Sequence, residues 1–166
     1  MASTYDKIAT TTIGSDTSTV TFNSIPDTYT DLKLVFNGRS NGYFGLRFNG
    51  DSGSNYSGVT HSSYGSTKIG ENTTSVTYIN CGRTTAGLGT GKQILVTSNI
   101  NSYAGNRKKV ALTEVNADYS GGNGMTYYSV GTWHSTAAIT SLSVYSTGST
   151  DLVAGSSITL YGILKA

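Results

Sequence analysis

The sequence predicts an all-β fold, an antiparallel β-sandwich that is jelly-roll-like, with about eight to ten strands and almost no helix. The first observation is composition, with 12 Tyr, 21 Gly and a single Pro. Tyr, Thr and Val suit a pleated, half-buried surface, whereas Gly and Asn serve turns. The second is a recurring alternation of apolar and polar residues with a period of two. The third is that no segment of helical length shows the apolar period of about 3.6 residues that a helix requires.

Strand signals follow one another along the chain, separated by turn-forming clusters such as AGN, SGGNG and TTAGLGTG. In the segment 31–36, Leu32, Leu34 and Phe36 fall on one face and Lys33 on the other, which predicts a strand with one buried face. The predicted strands span 19–25, 31–36, 43–48, 75–80, 92–100, 108–115, 124–133, 139–146 and 157–164.

The domain organisation is predicted to be an N-terminal segment, 1–16, followed by a single β-sandwich domain, 17–166. The segment TYDKIATTTIG has strand-like content but precedes a polar break, SDTST. It is therefore either an edge strand or an arm that reaches a neighbouring subunit, and Tyr5 and Ile8 are its candidate interface residues. The chain of 166 residues is long enough to bury a core without disulfides, and Cys81 has no partner for an intrachain disulfide.

The stretch RFNGDSGSNY, residues 47–56, suggests either an oxygen-rich metal loop or a turn. Asn49 and Gly50 both tolerate positive φ, and this dipeptide is a strong hairpin signal. A calcium loop needs several carboxylates at alternate positions, but Asp51 is the single acid between Asp31 and Glu71. We therefore predict a turn and no metal site.

Catalytic signals are weak. The chain has two histidines, His61 and His134, and its many serines make a neighbouring Ser uninformative. Glu114 lies within the apolar strand VALTEV and shares a face with Val110 and Leu112 if the alternation holds. Either that face becomes exposed, or Glu114 pairs with Arg47 or Lys109, or Glu114 is a buried catalytic acid. We predict no catalytic residue, no cofactor and a protein that is not an enzyme.

The charge pattern bears on partners. A net charge of +2 is too small to indicate nucleic acid, and the basic run 107–109 is interpreted as a solvated strand start. The N-terminus lacks the pattern of a secretory signal, and no segment reaches the length of a membrane span. We expect a protein made in the cytoplasm that contacts neither nucleic acid nor membrane.

Late aromatic residues favour binding over catalysis, because Tyr and Trp are enriched at interfaces and on sugar-stacking surfaces. Tyr127 and Trp133 are predicted to close the core. Tyr128, Tyr145 and Tyr161 fall on the opposite faces of their strands and are the interface candidates.

Four strings carry a resemblance to a known family: FNSIPDTYTDLKLVF (22–36), LRFNGDSGSNYS (46–57), GTWHSTAAITSLSVYS (131–146) and GSSITLYGILKA (155–166). In this order they resemble a family of small β-proteins encoded in the structural gene clusters of tailed bacteriophages. The resemblance implies a virion component with a jelly-roll-like sandwich, commonly assembled as a homo-trimer, and it carries over no catalytic residues.

The expected function is therefore a capsid decoration (cement) protein that binds the major capsid protein on the virion surface and stabilises the head. The alternative is a tail or fibre-tip protein that binds a host receptor or glycan through exposed aromatics beside polar loops. A third interpretation, a polysaccharide depolymerase, would require Glu114 and another carboxylate to share a concave surface.

Overall fold

The computed structural model describes residues 4–40, 42–83, 93–118, 124–147 and 152–164, which form twelve antiparallel strands and no helix. The strands are β1 Tyr5–Thr12, β2 Thr19–Phe22, β3 Asp31–Gly38, β4 Tyr43–Phe48, β5 Tyr56–Tyr64, β6 Thr67–Val76, β7 Ile79–Arg83, β8 Ile94–Asn101, β9 Lys109–Asp118, β10 Gly124–Trp133, β11 Leu142–Thr147 and β12 Ser157–Ile163. The predicted all-β sandwich is confirmed. Its twelve strands exceed the prediction of about eight to ten. Among the described residues no helix is long and apolar enough to cross a membrane. The predicted turn segment 84–91 and most of SGGNG lie outside the described residues.

The strands form two sheets, one of eight strands in the order β1-β12-β3-β8-β9-β10-β5-β6 and one of four in the order β2-β11-β4-β7. Eight strands, β1 to β4, β7, β8, β11 and β12, reproduce the jelly roll, with β1-β12-β3-β8 facing β2-β11-β4-β7. We call these eight strands the frame. The other four, β9, β10, β5 and β6, widen the first sheet beyond β8, and we call them the extension.

The core lies between the two sheets and follows the predicted alternation. In β3, Leu32, Leu34 and Phe36 are fully buried, and the residues between them are only partly so. Tyr127 and Trp133 are also buried, as predicted. Burying one face of each strand therefore accounts for the period of two in the sequence.

The hairpin of β5 and β6 departs from the prediction. The sequence indicated one strand at 75–80, whereas the structure ends β6 at Val76 and starts β7 at Ile79, with Ser75 at positive φ. Most side chains of β6 are exposed whichever way they point, so the strand has no apolar alternation that sequence reading could detect. Backbone pairing with β5 and a turn at Gly65, also at positive φ, hold the hairpin instead.

The N-terminal residues Tyr5–Thr12 form an edge strand, β1, which pairs antiparallel with β12 of the same chain. The register shifts between Lys7 and Ala9, which makes Ile8 the bulged residue, and its side chain packs against the core. Further along, Ile13 is buried and its backbone N–H donates to the Ser156 carbonyl over 2.8 Å.

The extension is joined to the frame through β7, which packs on β10 and β5. Gly131 makes this approach possible, because a Cβ at that position would lie 2.1 Å from Cγ2 of Ile79. Beside it, the Ser129 hydroxyl donates to the Asn80 carbonyl over 2.6 Å. The inner face of β10 is thus covered by a frame strand, and the outer face of the extension stays exposed to solvent.

Candidate binding surface

The stretch RFNGDSGSNY forms a turn. Asn49 and Gly50 have φ of 52° and 65°, and the Asp51 amide donates to the Phe48 carbonyl over 2.9 Å. The predicted turn is present, but it does not close a hairpin, because it leads from β4 in the smaller sheet to β5 in the larger one. It is a corner between the two sheets.

The Asp51 carboxylate is occupied by donors of its own chain. It accepts hydrogen bonds from Nε1 of Trp133 at 2.7 Å, from the Gly53 amide at 2.9 Å and from Nδ2 of Asn55 at 3.0 Å. The indole hydrogen bond is the main cause that holds the pKa of Asp51 below its ordinary value. Among the described residues no three His, Cys, Asp or Glu side chains cluster as a metal site would require. The stretch is therefore a structural corner.

Asn49 secures the other side of this corner. Its Oδ1 accepts from the amides of Thr140 at 2.8 Å and Ser141 at 3.1 Å, and its Nδ2 donates to the Ala138 carbonyl at 2.8 Å. The stretches 46–57 and 131–146 thus pack directly on each other at this corner.

The basic run 107–109 is only partly solvated. Arg107 and Lys108 are exposed, but the interpretation of a solvated strand start is wrong for Lys109, which is fully buried on the inner face of β9. Its ammonium donates to the carbonyls of Gly105, Arg107 and Thr136. Burial lowers the pKa of Lys109, and these carbonyls supply the acceptors that a buried cation needs.

Glu114 lies on the outer face of β9, with Val110 and Leu112 beside it as the alternation predicted. Lys109 points to the opposite face, and Oε1 of Glu114 accepts from Nδ2 of Asn116 at 2.9 Å. Of the alternatives, the one in which this face is exposed therefore holds. Arg47 contacts the Thr77 carbonyl instead.

The outer face of the extension forms a groove around Tyr128, whose side chain is 54% exposed. In the strand register Tyr128 lies opposite His61 on β5 and opposite Glu114 on β9. The groove encloses about 340 Å³ and is lined also by Val59, Thr97, Asn99, Leu112 and Val130. A second groove of about 310 Å³ lies towards β6 and shares His61 and Tyr128 with the first.

Glu114 is the one carboxylate among the residues that line these two grooves. Neither groove therefore brings a second carboxylate to Glu114, as a pair of catalytic acids would require. His134 lies elsewhere, with its Nε2 at 3.0 Å from Oγ of Ser57.

A second surface lies on the same sheet face, on β1, β12 and β3, and we call it the β1 patch. Tyr5 and Tyr161 meet edge to face with ring centroids 6.5 Å apart, and Nζ of Lys33 lies 5.6 Å from the centroid of the Tyr5 ring. Val35 completes a groove of about 330 Å³. On β1, Lys7 lies opposite Tyr161 in the register, so cations flank both sides of the aromatic pair.

The five candidate interface residues are thus placed in different environments. Tyr5 and Tyr161 lie together, Tyr128 lies on the same sheet face on β10, and Ile8 packs against the core. Tyr145 lies on the outer face of the smaller sheet, where the Tyr78 ring and the Arg47 guanidinium cover it at centroid distances of 5.3 Å and 5.0 Å. Burial raises the pKa of its hydroxyl.

Several groove residues were not candidates in the sequence. Val59 and His61 belong to β5, which has little apolar alternation, and Leu112 was noted in the sequence only because it shares a face with Glu114. What marks these residues is that Val130 pairs with two apolar neighbours, Val59 and Leu112. This pairing follows from the strand order, which the sequence does not give.

Comparison of the chain with protein-family models, with curated proteins and with solved structures yields no match.

Proposed function

We propose that this protein is a non-enzymatic structural component of a bacteriophage virion, a decoration protein that binds the major capsid protein and stabilises the head. The four family-like strings support this proposal, and they fall mainly on the frame and the corners next to it. Jelly rolls recur in viral capsid and lectin domains, which supports the class by analogy of fold.

The observation that carries the proposal is the β1 patch on the outer face of the larger sheet. Tyr5 is 47% exposed, and Lys7 and Lys33 lie on either side of Tyr161. An aromatic anchor with a cationic rim suits a partner surface that is apolar at its centre and acidic around it. Within the described residues β1 also has an open edge, to which a neighbouring chain can add a strand.

In this proposal the protein assembles as a homo-trimer on the capsid surface, since repeated copies are usually arranged symmetrically. The test is the copy number of the chain in purified particles, measured by quantitative mass spectrometry against the major capsid protein. A ratio near one to one supports decoration, and absence from the particle overturns it.

Attachment to capsids tests the patch itself. Tyr5→Ala combined with Lys33→Glu should weaken binding to undecorated heads by about tenfold or more. Tyr43→Ala is the matched control, because Tyr43 is an exposed tyrosine on the smaller sheet. Equal attachment of both variants would exclude the β1 patch as the capsid contact.

A second candidate function is receptor or glycan binding at a tail or fibre tip. The observation in its favour is the exposed Tyr128 between His61 and Glu114. A ratio on the order of one chain per hundred capsid subunits would favour it, because a tail tip holds few symmetric copies.

A further inference from the structure

We propose that the outer face of the extension binds a neutral oligosaccharide along the two grooves that meet at Tyr128. Tyr128 on β10 is separated from Tyr161 of the β1 patch by β3, β8 and β9. The two surfaces adjoin, because Asn99 and Thr97 of the groove pair with Lys33 and Val35 of the β1 patch. A decoration protein could carry both, and sugar binding is tested on the isolated protein.

The platform of the site is the Tyr128 ring. It projects from the middle of β10 and is the most exposed of the large apolar side chains on this face. A tyrosine combines a flat apolar body with a polar tip at low entropic cost. The flat C–H face of a pyranose ring can stack on such a surface.

The polar partners lie in the same register row as Tyr128. His61 is opposite on one side and Glu114 on the other, with Thr97 beyond Glu114. Asn116 holds Glu114 through one carboxylate oxygen at 2.9 Å, which orients the group. A carboxylate accepts and the other side chains both donate and accept, as the hydroxyls of a sugar require.

The next row of the same face is apolar. Val130 lies opposite Val59 and Leu112, and all three side chains are exposed. Asn99 on β8 lies opposite Leu112, and Lys33 of the β1 patch follows it in the same row. A polar row beside an apolar row matches a ligand with C–H faces and a hydroxyl rim, and a few placed polar groups in an apolar setting are usual for a ligand site.

The charges of the lining indicate a neutral ligand. Among the described residues that line the two grooves, Glu114 is the one carboxylate and Lys68 is the one lysine. This balance favours neither a polyanion, which needs a cationic track, nor a cation. A continuous apolar surface for a second copy of the chain is interrupted by the row of His61 and Glu114.

The size of the grooves indicates a chain of sugars. Volumes of about 340 Å³ and 310 Å³ each lie at the lower end of the range of about 300–1,000 Å³ for ligand sites. Because His61 and Tyr128 form a wall common to both, one ligand can cross the ring and occupy each groove. We therefore assign at least one sugar residue to each side of Tyr128.

The test uses the isolated full-length protein, titrated by calorimetry with maltohexaose, cellohexaose and chitohexaose. We expect at least one to bind with a Kd of about 1 mM or tighter. Tyr128→Ala should weaken that binding about tenfold, the value of one aromatic contact. Tyr5→Ala, which removes an exposed tyrosine outside the grooves, should bind like the wild type.

Glu114→Gln separates a neutral ligand from a cationic one. The amide keeps an acceptor for a sugar hydroxyl, so we expect the affinity to change less than about threefold. No binding of any of the three sugars, or equal binding by Tyr128→Ala and the wild type, overturns the proposal. So does sedimentation equilibrium that shows self-association through Tyr128 with no sugar bound. These outcomes leave the capsid proposal open, since that is decided on particles.

Discussion

The frame and the middle of the extension distribute apolar side chains in opposite ways. In the frame, β3 buries Leu32, Leu34 and Phe36 and turns more polar residues outward. In the middle of the extension, small polar side chains are buried and large apolar ones are exposed. The buried set is Thr60, Ser62, Thr113 and Ser129, and the exposed set is Val59, Leu112, Tyr128 and Val130.

This inversion indicates that the two regions of one sheet are stabilised by different interactions. The frame obtains its stability from apolar burial. Buried polar groups of the extension are instead satisfied by polar groups of the frame, as between Thr113 and Ser98 of β8 at 2.7 Å, and between Ser129 and the backbone of β7. Its exposed apolar side chains are therefore available for binding, which an exposed apolar patch commonly marks.

The largest expected difference is between one leucine of each region. Leu34→Ala in the frame empties a fully buried site and should lower the free energy of unfolding by about 3 kcal/mol. Leu112→Ala in the extension removes a side chain that is 45% exposed and should cost less than about 1 kcal/mol. Urea denaturation of both variants measures this, and equal losses would contradict the comparison.

The junction of the two regions should be almost as sensitive. Gly131→Ala places a methyl group against Ile79 and should destabilise the chain by about 2–3 kcal/mol, since a packed core resists added volume. Gly124→Ala, on the same strand with nothing within 4 Å of the new Cβ, is the control. If thermal unfolding gave both variants the same midpoint, β7 could not be packed tightly on β10.

The buried cation of the extension tests whether polar satisfaction holds that region. Lys109→Met leaves the carbonyls of Gly105, Arg107 and Thr136 without this donor and should cost about 1–3 kcal/mol. Lys108→Met removes an exposed neighbour and should change stability by less than about 0.5 kcal/mol. Chemical denaturation compares them, and a neutral Lys109→Met would show that the loop needs no cation.

The smallest expected effect concerns acid stability at the corner between the sheets. Folding lowers the pKa of Asp51, so its carboxylate stabilises the folded chain above an unfolded pKa of about 3.9. That contribution disappears as the pH falls through the lower folded value. Asp51→Asn should therefore lower the melting temperature at neutral pH. Below about pH 4 the difference in melting temperature between the variant and the wild type should become smaller. If the melting temperatures of the wild type and the variant changed equally with pH, this account would be refuted.

How far sequence reading succeeded depends on whether a strand has a covered face. For β10 the predicted range 124–133 and the inward faces of Tyr127 and Trp133 agree with the structure. For β6 most side chains are exposed, so its ten residues carry no apolar alternation. The hairpin that contributes His61 to the candidate site was missed for that reason.

The site was only partly predictable. Tyr128 was a candidate because it alternates with Tyr127, and Glu114 was noticed as an acid in an apolar strand. Their pairing across β9 and β10, with His61 on the far side, follows from register. The register between strands that are distant in the chain cannot be predicted from a single sequence.

By itself, the sequence determined the class of fold and the sets of residues that share a face, because the period of a strand is a local property. It showed that Val110, Leu112 and Glu114 lie together. Only the tertiary structure decided that this face is the outer one. Which face is covered depends on which strand packs against it, and here β7 covers the inner face of the extension. The grooves at Tyr128 therefore depend on the order of the strands, which cannot be read from a local sequence pattern.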